Sequence, residues 1–249
     1  MRVRMLVIAL TVMAAAPAWA QPRLPLASRT VLPAHVMCAD QLVPAIPVPT
    51  VRIRGPHYVL PHLAMSRGDD AVVPRQPEDG MAIGQRYLVR RLPSGWKAEL
   101  PREGGYVPIR TLGWVTLTAL DDVTAIVHVD FACDAIEPDD YLTPYVEAVL
   151  PTPDTTLLAP DFTERVQILT GGAGREMFAD GDSFSIARGT DAGVTVGARF
   201  AIYRDRKDGR PLVHIGEAIV TDPSATSAKL LLLKTTDVVE VTDLAVPRR

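Results

Sequence analysis

The chain contains an internal repeat, and this repeat restricts its architecture more than any other property of the sequence. The stretch GDDAVVPRQPEDGMAIGQRYLVRR, residues 68–91, aligns without a gap with GDSFSIARGTDAGVTVGARFAIYR, residues 181–204. Such self-similarity predicts that one folding unit occurs twice, so any structural interpretation has to suit both copies. The identical pairs are Gly68/Gly181, Asp69/Asp182, Arg75/Arg188, Gly80/Gly193, Gly84/Gly197, Arg86/Arg199 and Arg91/Arg204.

The repeat continues in a second gapless block. Residues 113–144 align with residues 216–247. The spacing between the two blocks is longer in the first copy, which places an insertion in LPSGWKAELPREGGYVPIRT, residues 92–111. The Gly and Pro content of this segment predicts a long hairpin region. The identical pairs of the second block include Gly113/Gly216, Thr118/Thr221, Asp134/Asp237, Glu137/Glu240, Asp140/Asp243 and Pro144/Pro247.

The repeat also defines the expected domains. We place a first β domain at residues 51–145 and a second at residues 166–249. Residues 146–165 contain VLPTPDTTLLAPDF and are interpreted as a linker. Residues 21–50 are predicted to form an extended arm, because their prolines exclude a regular helix. These prolines are Pro22, Pro25, Pro33, Pro44, Pro47 and Pro49.

Strand-like patterns dominate both copies. In VTAIVHVDF, residues 123–131, apolar and polar side chains alternate with the period of a half-buried strand. AKLLLLK is ambiguous because Leu favours helices, but its alignment with residues 123–131 favours a strand. We therefore predict an all-β fold with two tandem small barrel-like or sandwich-like domains. The predicted core-facing positions of the alternating strand are Val123, Ala125, Val127, Val129, Phe131 and Cys133.

The clustered glycines raise the question of a phosphate-binding loop. Such a loop needs a Gly-rich turn between a strand and a helix, followed in many proteins by Lys-Ser or Lys-Thr. Here the glycines lead into the strand-like run ARFAIYR, and no such Lys follows. They are therefore interpreted as structural turn positions of the repeated unit. The predicted turn residues are Gly68, Asp69, Gly80, Gly84, Gly113, Gly181, Asp182, Gly193, Gly197 and Gly216.

The first residues indicate export. Arg2 and Arg4 precede an apolar run, and Ala18-Trp19-Ala20 has the form of a cleavage site. This pattern predicts a signal peptide at residues 1–20, cleaved after Ala20, and a periplasmic protein that does not span the membrane afterwards. An uncleaved anchor is the alternative.

The two cysteines, Cys38 and Cys133, are both in the exported part of the chain. In an oxidising compartment such a pair is expected to form a disulfide, which here would tie the arm to the first domain. A metal site built on His35 and Cys38 is the alternative, although no second Cys/His pair supports it.

The composition argues against several functions. The formal net charge is −3 and no basic block is present, which disfavours nucleic-acid binding. None of the five histidines lies in a metalloprotease or hydrolase motif. We therefore expect a protein without enzymatic activity, metal or cofactor. The alternative is an envelope carbohydrate-acting enzyme, or an accessory to one, with a dispersed site that uses His57, His62 and His128.

The repeat has a recognisable form. The segments GDSFSIARGTDAGVTVGARFAIYR, PLVHIGEAIV and TTDVVEVTDLAVPRR resemble the C-terminal region of exported Gram-negative proteins that often carry a LysM peptidoglycan-binding module. GQRYLVRR and DAIEPDDYLTPY resemble the region just upstream in the same proteins. More distantly, the pattern is similar to the small β domain of the periplasmic flagellar outer-ring assembly protein. Residues 21–50 are too short and too rich in proline to contain a LysM module.

The resemblance implies an architecture more than an activity. Together with the predicted leader, it leads us to expect a structural or interaction protein of the cell envelope that binds a partner protein or the cell wall. Association with the outer membrane or the cell wall is a further expectation. A flagellar or export-apparatus assembly factor is the second expectation. The oligomeric state and the identity of the partner do not follow from these residues.

Overall fold

A computed structural model gives the fold of most of the chain. The predicted signal peptide, the first part of the arm, His62 and most of the expected insertion lie outside the described residues. The structure describes residues 31–43, 45–59, 63–75, 80–92, 107–152, 158–171 and 174–249.

The prediction of an all-β fold is confirmed. The strands form two groups that follow the two copies of the repeat. The first group comprises β1 (Gln41–Val43), β2 (Gly55–Pro56), β3 (Asp70–Pro74), β4 (Arg86–Arg91), β5 (Val107–Leu120), β6 (Thr124–Ala132) and β7 (Tyr141–Pro144). The second comprises β8 (Val166–Gly171), β9 (Met177–Phe178), β10 (Ser183–Ile186), β11 (Arg199–Arg204), β12 (Val213–Pro223), β13 (Ala228–Thr235), β14 (Val239–Glu240) and β15 (Leu244–Pro247).

The second group forms a closed barrel. Its strands follow the order β10-β13-β12-β11-β15-β8, and β8 pairs again with β10. Strands β9 and β14 form a separate two-stranded sheet. Closure satisfies the backbone groups of both sheet edges, so the barrel presents no open edge between its first and last strands.

The first group forms a sheet with the order β2-β3-β6-β5-β4-β7, and β1 is added to β5. Its two edges approach each other through the segment that begins at Val51. The backbone N–H of Ile53 donates to the carbonyl of Asp140 at 2.7 Å, and that of Arg54 donates to the carbonyl of Val72 at 2.8 Å. The segment therefore bonds to both edges, as β8 does in the second group.

Each group encloses its own apolar core. Alternation along the strands turns one set of side chains inward, and these residues are almost fully buried. The first core includes Ile53, Val73, Val89, Leu117 and Val127. The second includes Phe178, Phe184, Phe200, Ile202 and Leu230.

The same buried ion pair occurs in both groups. Arg91 donates from Nε and Nη2 to the carboxylate of Asp140 at 2.7 and 2.8 Å. Arg204 donates from the same atoms to Asp243 at 2.9 and 2.8 Å. Each carboxylate also accepts the backbone N–H of the residue three positions earlier, at 2.7 Å. All four residues are aligned in the sequence repeat, so the two copies share individual side-chain contacts.

Two predicted core positions lie on the other face of the sheet. The pairing of β5 with β6 shifts register between Trp114 and Val115. Such a bulge inserts one residue and reverses the alternation beyond it. Consequently Ala132 packs against the core, whereas Phe131 stacks on Trp114 outside it with ring centroids 4.5 Å apart. The prediction that Phe131 and Cys133 face the core is wrong for this reason. The prediction for Val123 is also wrong, because this residue precedes β6 and is 68% exposed.

Two further expectations need correction. The arm was expected to contain no regular helix, yet Pro33–Met37 form the short helix α1. Pro33 occupies its first turn, where the missing N–H has no helical partner to lose. Gly113 and Gly216 are not turn residues, because they lie within β5 and β12. At Gly113 a Cβ atom would lie 2.1 Å from the carbonyl oxygen of Phe131, so the bulged strands require glycine there.

Candidate functional site

Residues 31–43, which we call the N-terminal strap, contact both copies of the repeat. Helix α1 packs Val36 against Ile219 and Leu231 of the second barrel. Strand β1 then pairs with β5 of the first sheet, with Gln41 opposite Ile109. A segment of 13 residues therefore joins two units that are far apart in sequence.

A disulfide fixes the strap to the first sheet. Cys38, directly after helix α1, is bonded to Cys133, and their Cα atoms are 5.5 Å apart. The predicted disulfide is confirmed. Its formation depends on the bulge in β6, because Cys133 must face outward to meet the strap.

The carbonyl oxygen of Ala39 is the point at which the two repeats meet on the strap. Thr111 of the first sheet donates to it from Oγ1 at 3.2 Å. Lys229 of the second barrel donates to it from Nζ at 3.1 Å. One strap carbonyl thus accepts hydrogen bonds from both units, which stabilises their relative placement.

A polar cleft of about 530 Å³ lies on one side of the strap. Its walls carry an arginine–aspartate pair from each repeat. Arg110 pairs with Asp134 in the first, and Arg175 donates to Asp182 at 3.0 Å in the second. The ring of Phe131 and the disulfide complete the wall of the first repeat. The cleft therefore combines charged donors, carboxylate acceptors and one flat aromatic surface.

A second cavity, of about 560 Å³, also touches Ala39 and Thr111. We call it the cationic cavity, because Arg90 of β4 and Lys229 of β13 both line it. The Lys229 residue is only 7% exposed. Aliphatic side chains make up most of the remaining wall and come from the strap, both repeats and the connecting segment. Among them are Val36, Leu88, Val149 and Val196.

The electrostatics of this cavity are unfavourable for its own cations. Burial lowers the pKa of Lys229, and the neighbouring Arg90 lowers it further, while Asp222 and Asp40 act in the opposite direction. Burial likewise lowers the pKa of Arg90. The Asp222 carboxylate is 3.5 Å from the Lys229 ammonium and its side chain is 54% exposed. Water therefore screens the carboxylate that lies closest to the buried ammonium.

Among the described residues, the histidines do not form a recognisable catalytic set. Nδ1 of His128 lies 2.8 Å from the carboxylate of Asp70, and Nε2 of His214 lies 2.8 Å from that of Glu217. In the part of the chain that the structure describes, neither ring is hydrogen-bonded to a hydroxyl or thiol that could act as nucleophile. His57 donates its backbone N–H to the carbonyl of Asp70, and His62 is outside the described residues.

Of the predicted turn residues, Gly181 and Asp182 line the polar cleft, whereas the others are distributed over both repeats and do not line it. Gly80, Gly84, Gly193 and Gly197 all have positive φ, between 63° and 88°. Gly68 and Gly181 have φ of 94° and 89°. The aspartates that follow them, Asp69 and Asp182, each accept a nearby backbone N–H, at 2.8 and 2.9 Å.

Sequence reasoning did not identify Arg90, Lys229, Arg110 or Arg175. One usable signal was present, because the two cations of the cavity are not repeated. The alignment puts Tyr203 opposite Arg90 and Ile126 opposite Lys229. Charged residues that differ between two copies of one scaffold are candidates for a role beyond folding.

Within the described residues, no three or more His, Cys, Asp or Glu side chains are placed to hold a metal ion. In the same residues, no helix has the length and apolar character needed to cross a membrane. No protein-family model matches the chain, and no curated protein is significantly similar to it.

Proposed function

We propose that this chain is a non-enzymatic protein, exported to the periplasm, that binds the cell wall or a partner protein of the envelope. The observation that carries the proposal is the polar cleft between the repeats. Ligand sites of several hundred Å³ occur preferentially between domains, where side chains from two units converge. Here each repeat contributes one arginine–aspartate pair to the same cleft.

The chemistry of the cleft suits a polar envelope component. An arginine has five N–H donors in a fixed fork, and a carboxylate accepts up to four hydrogen bonds. Each pair in the cleft is partly exposed, with 34% and 48% exposure for the side chains of Arg110 and Asp134. They therefore retain donors and acceptors for hydroxyl or amide groups. The Phe131 ring offers an apolar surface to the same ligand.

The disulfide supports the exported location. Such bonds persist in oxidising compartments and are rare in the cytosol. The disulfide also favours a preformed cleft over one that changes conformation, because it anchors the strap that contacts both repeats. A preformed cleft loses less conformational freedom when a ligand binds, which favours affinity.

The proposal is tested by co-sedimentation of the purified, disulfide-bonded protein with insoluble peptidoglycan. A second arm places a photo-crosslinking residue at Ser183, on the cleft wall, and identifies envelope proteins joined to it. The double variant Arg110→Ala/Arg175→Ala removes both arginines from the cleft. Because hydrogen bonds to charged groups contribute about 1.5–3 kcal/mol each, this variant should bind at least about tenfold more weakly.

The matched control is Arg210→Ala. Arg210 is also paired with an aspartate, Asp208, but it is 74% exposed and lines neither cavity. This variant should bind like the unmodified protein. The proposal would be contradicted if the protein neither co-sediments with peptidoglycan nor crosslinks to an envelope protein. It would also be contradicted if the double variant and the unmodified protein bind equally well.

A further inference from the structure

The cationic cavity differs from the polar cleft in chemistry, because the electrostatic interaction between the two cations on its wall is unfavourable. Two cations, Arg90 and Lys229, lie on the wall of the same space, and each is largely removed from water. Like charges at short range in a medium of low polarity repel each other strongly. A protein keeps such a pair at a cost in stability unless an anion offsets it.

The Arg90 guanidinium has unused hydrogen-bonding capacity. Its Nη1 donates to Thr111 Oγ1 at 2.8 Å, and within the described residues this is its one side-chain hydrogen bond. A guanidinium has five N–H donors. Most of these donors therefore have no protein acceptor in that part of the chain, although they border a cavity large enough for a ligand.

The acidic groups near Arg90 and Lys229 do not fully neutralise the positive charge of these two cations. Asp222 is half exposed and 3.5 Å from the Lys229 ammonium, and Glu147 on the cavity wall is exposed. Asp40 interacts electrostatically with both cations but lines other cavities. Asp222 also lines the cavity, but water screens both it and Glu147, so neither carboxylate fully offsets the charges of Arg90 and Lys229.

The remaining lining indicates what kind of molecule the cavity suits. Among the described residues it consists mainly of the aliphatic side chains described above, without an aromatic ring. The backbones of Thr221 and Lys229 belong to β12 and β13, which are already paired with each other. A peptide ligand would need free backbone partners, whereas a hydrocarbon chain needs only apolar contact.

We propose that the cationic cavity binds an acyl-chain carboxylate, such as a medium-chain fatty acid. The carboxylate lies between Arg90 and Lys229, where the guanidinium can donate two parallel hydrogen bonds and the ammonium a third. The hydrocarbon chain lies along Val36, Leu88 and Val196. This site is separate from the polar cleft, so the inference stands or falls independently of the proposed function.

The experiment is isothermal titration calorimetry of the disulfide-bonded protein with sodium decanoate, below the concentration at which it forms micelles. Decanol, which has the same chain without the charge, is the ligand control. Decanoate should bind at one site, and decanol at least about tenfold more weakly, because it lacks the charged hydrogen bonds.

Three variants localise the site. Arg90→Leu and Lys229→Met should each weaken decanoate binding by about tenfold or more. The polar-cleft variant Arg110→Ala/Arg175→Ala should bind decanoate normally while losing envelope binding. Circular dichroism and thermal melting check that each variant is folded. Should Lys229→Met fail to fold, Arg90→Leu decides, because Arg90 makes a single side-chain contact of this kind in the described residues.

The inference is overturned if decanoate does not bind the unmodified protein, if decanol binds equally well, or if folded Arg90→Leu binds decanoate unchanged. Loss of decanoate binding in the polar-cleft variant would also overturn it, since the ligand would then occupy the other cavity. Tight binding of decanoate that is lost with Arg90 or Lys229 supports it.

Discussion

Arg204 holds the buried carboxylate of Asp243 with two hydrogen bonds, at 2.9 and 2.8 Å. Asp243 is 1% exposed, and the side chain of Arg204 is 24% exposed. The pair ties the end of β11 to the turn before β15, and the aligned pair Arg91–Asp140 does the same in the first repeat. The carboxylate raises the pKa of Arg204, so this guanidinium stays charged.

Replacing Asp243 with Asn should destabilise the second barrel by about 2 kcal/mol, because Asp243 loses the charge that strengthens its two hydrogen bonds with Arg204, while Arg204 keeps its contacts with Asp237 and Glu240. Urea denaturation followed by circular dichroism measures the change. Asp140→Asn should have a similar effect through the first repeat. The control Asp208→Asn removes an exposed partner of Arg210 and should cost less than about 1 kcal/mol. Equal effects of Asp243→Asn and Asp208→Asn would refute the structural role of the buried pair.

The disulfide should contribute strongly to stability. Cys38 and Cys133 are 95 residues apart, and the chain-entropy relation gives about 4.5 kcal/mol for a loop of that length. Cys38→Ser/Cys133→Ser should therefore unfold at markedly lower urea concentration than the oxidised protein. Mass measurement after alkylation, with and without prior reduction, establishes whether the bond is present. Two alkylated thiols in unreduced, periplasmically produced protein would show that it does not form.

Gly113→Ala should be among the most damaging small substitutions in the chain. The new methyl group would lie 2.1 Å from the carbonyl oxygen of Phe131, and φ is 149°. Backbone strain and overpacking together should cost about 3 kcal/mol. Gly209→Ala isolates the strain, because its φ is 77° but the space around it is open, and about 1 kcal/mol is expected. Denaturant midpoints of the two variants provide the comparison, and equal losses would argue against the close approach.

Lys229 should make stability depend on pH in the alkaline range. Burial lowers the folded-state pKa of Lys229 below the 10.5 of a free lysine. Between these two values the unfolded chain binds a proton that the folded chain does not, so this residue's contribution to stability rises with pH. The free energy of unfolding of the unmodified protein should therefore rise relative to Lys229→Met as pH increases towards 10.5. A difference that stays constant across this range would contradict the burial of Lys229.

The repeat was sufficient to anticipate much of the fold. The ambiguous run AKLLLLK could be assigned to a strand because its aligned partner alternates clearly, and it forms β13. The disulfide followed from two cysteines that lie after the predicted signal peptide. The alternation rule failed at Phe131 and Cys133, since a bulge depends on how two strands pair, which a single strand's pattern does not contain. Helix α1 was missed because Pro33 was read only as a helix breaker.

The cavities could not be anticipated in the same way. Arg90 and Lys229 belong to different repeats, and the one sequence signal they share is that neither has a charged counterpart in the other copy. The sequence alone determined the repeated β unit, since apolar periodicity and aligned glycines and ion-pair residues act within one copy. Only the tertiary structure decided which outer faces meet beneath the strap. That choice depends on contacts between distant segments, such as Lys229 with the carbonyl of Ala39, 190 residues apart, and local sequence preferences do not encode it.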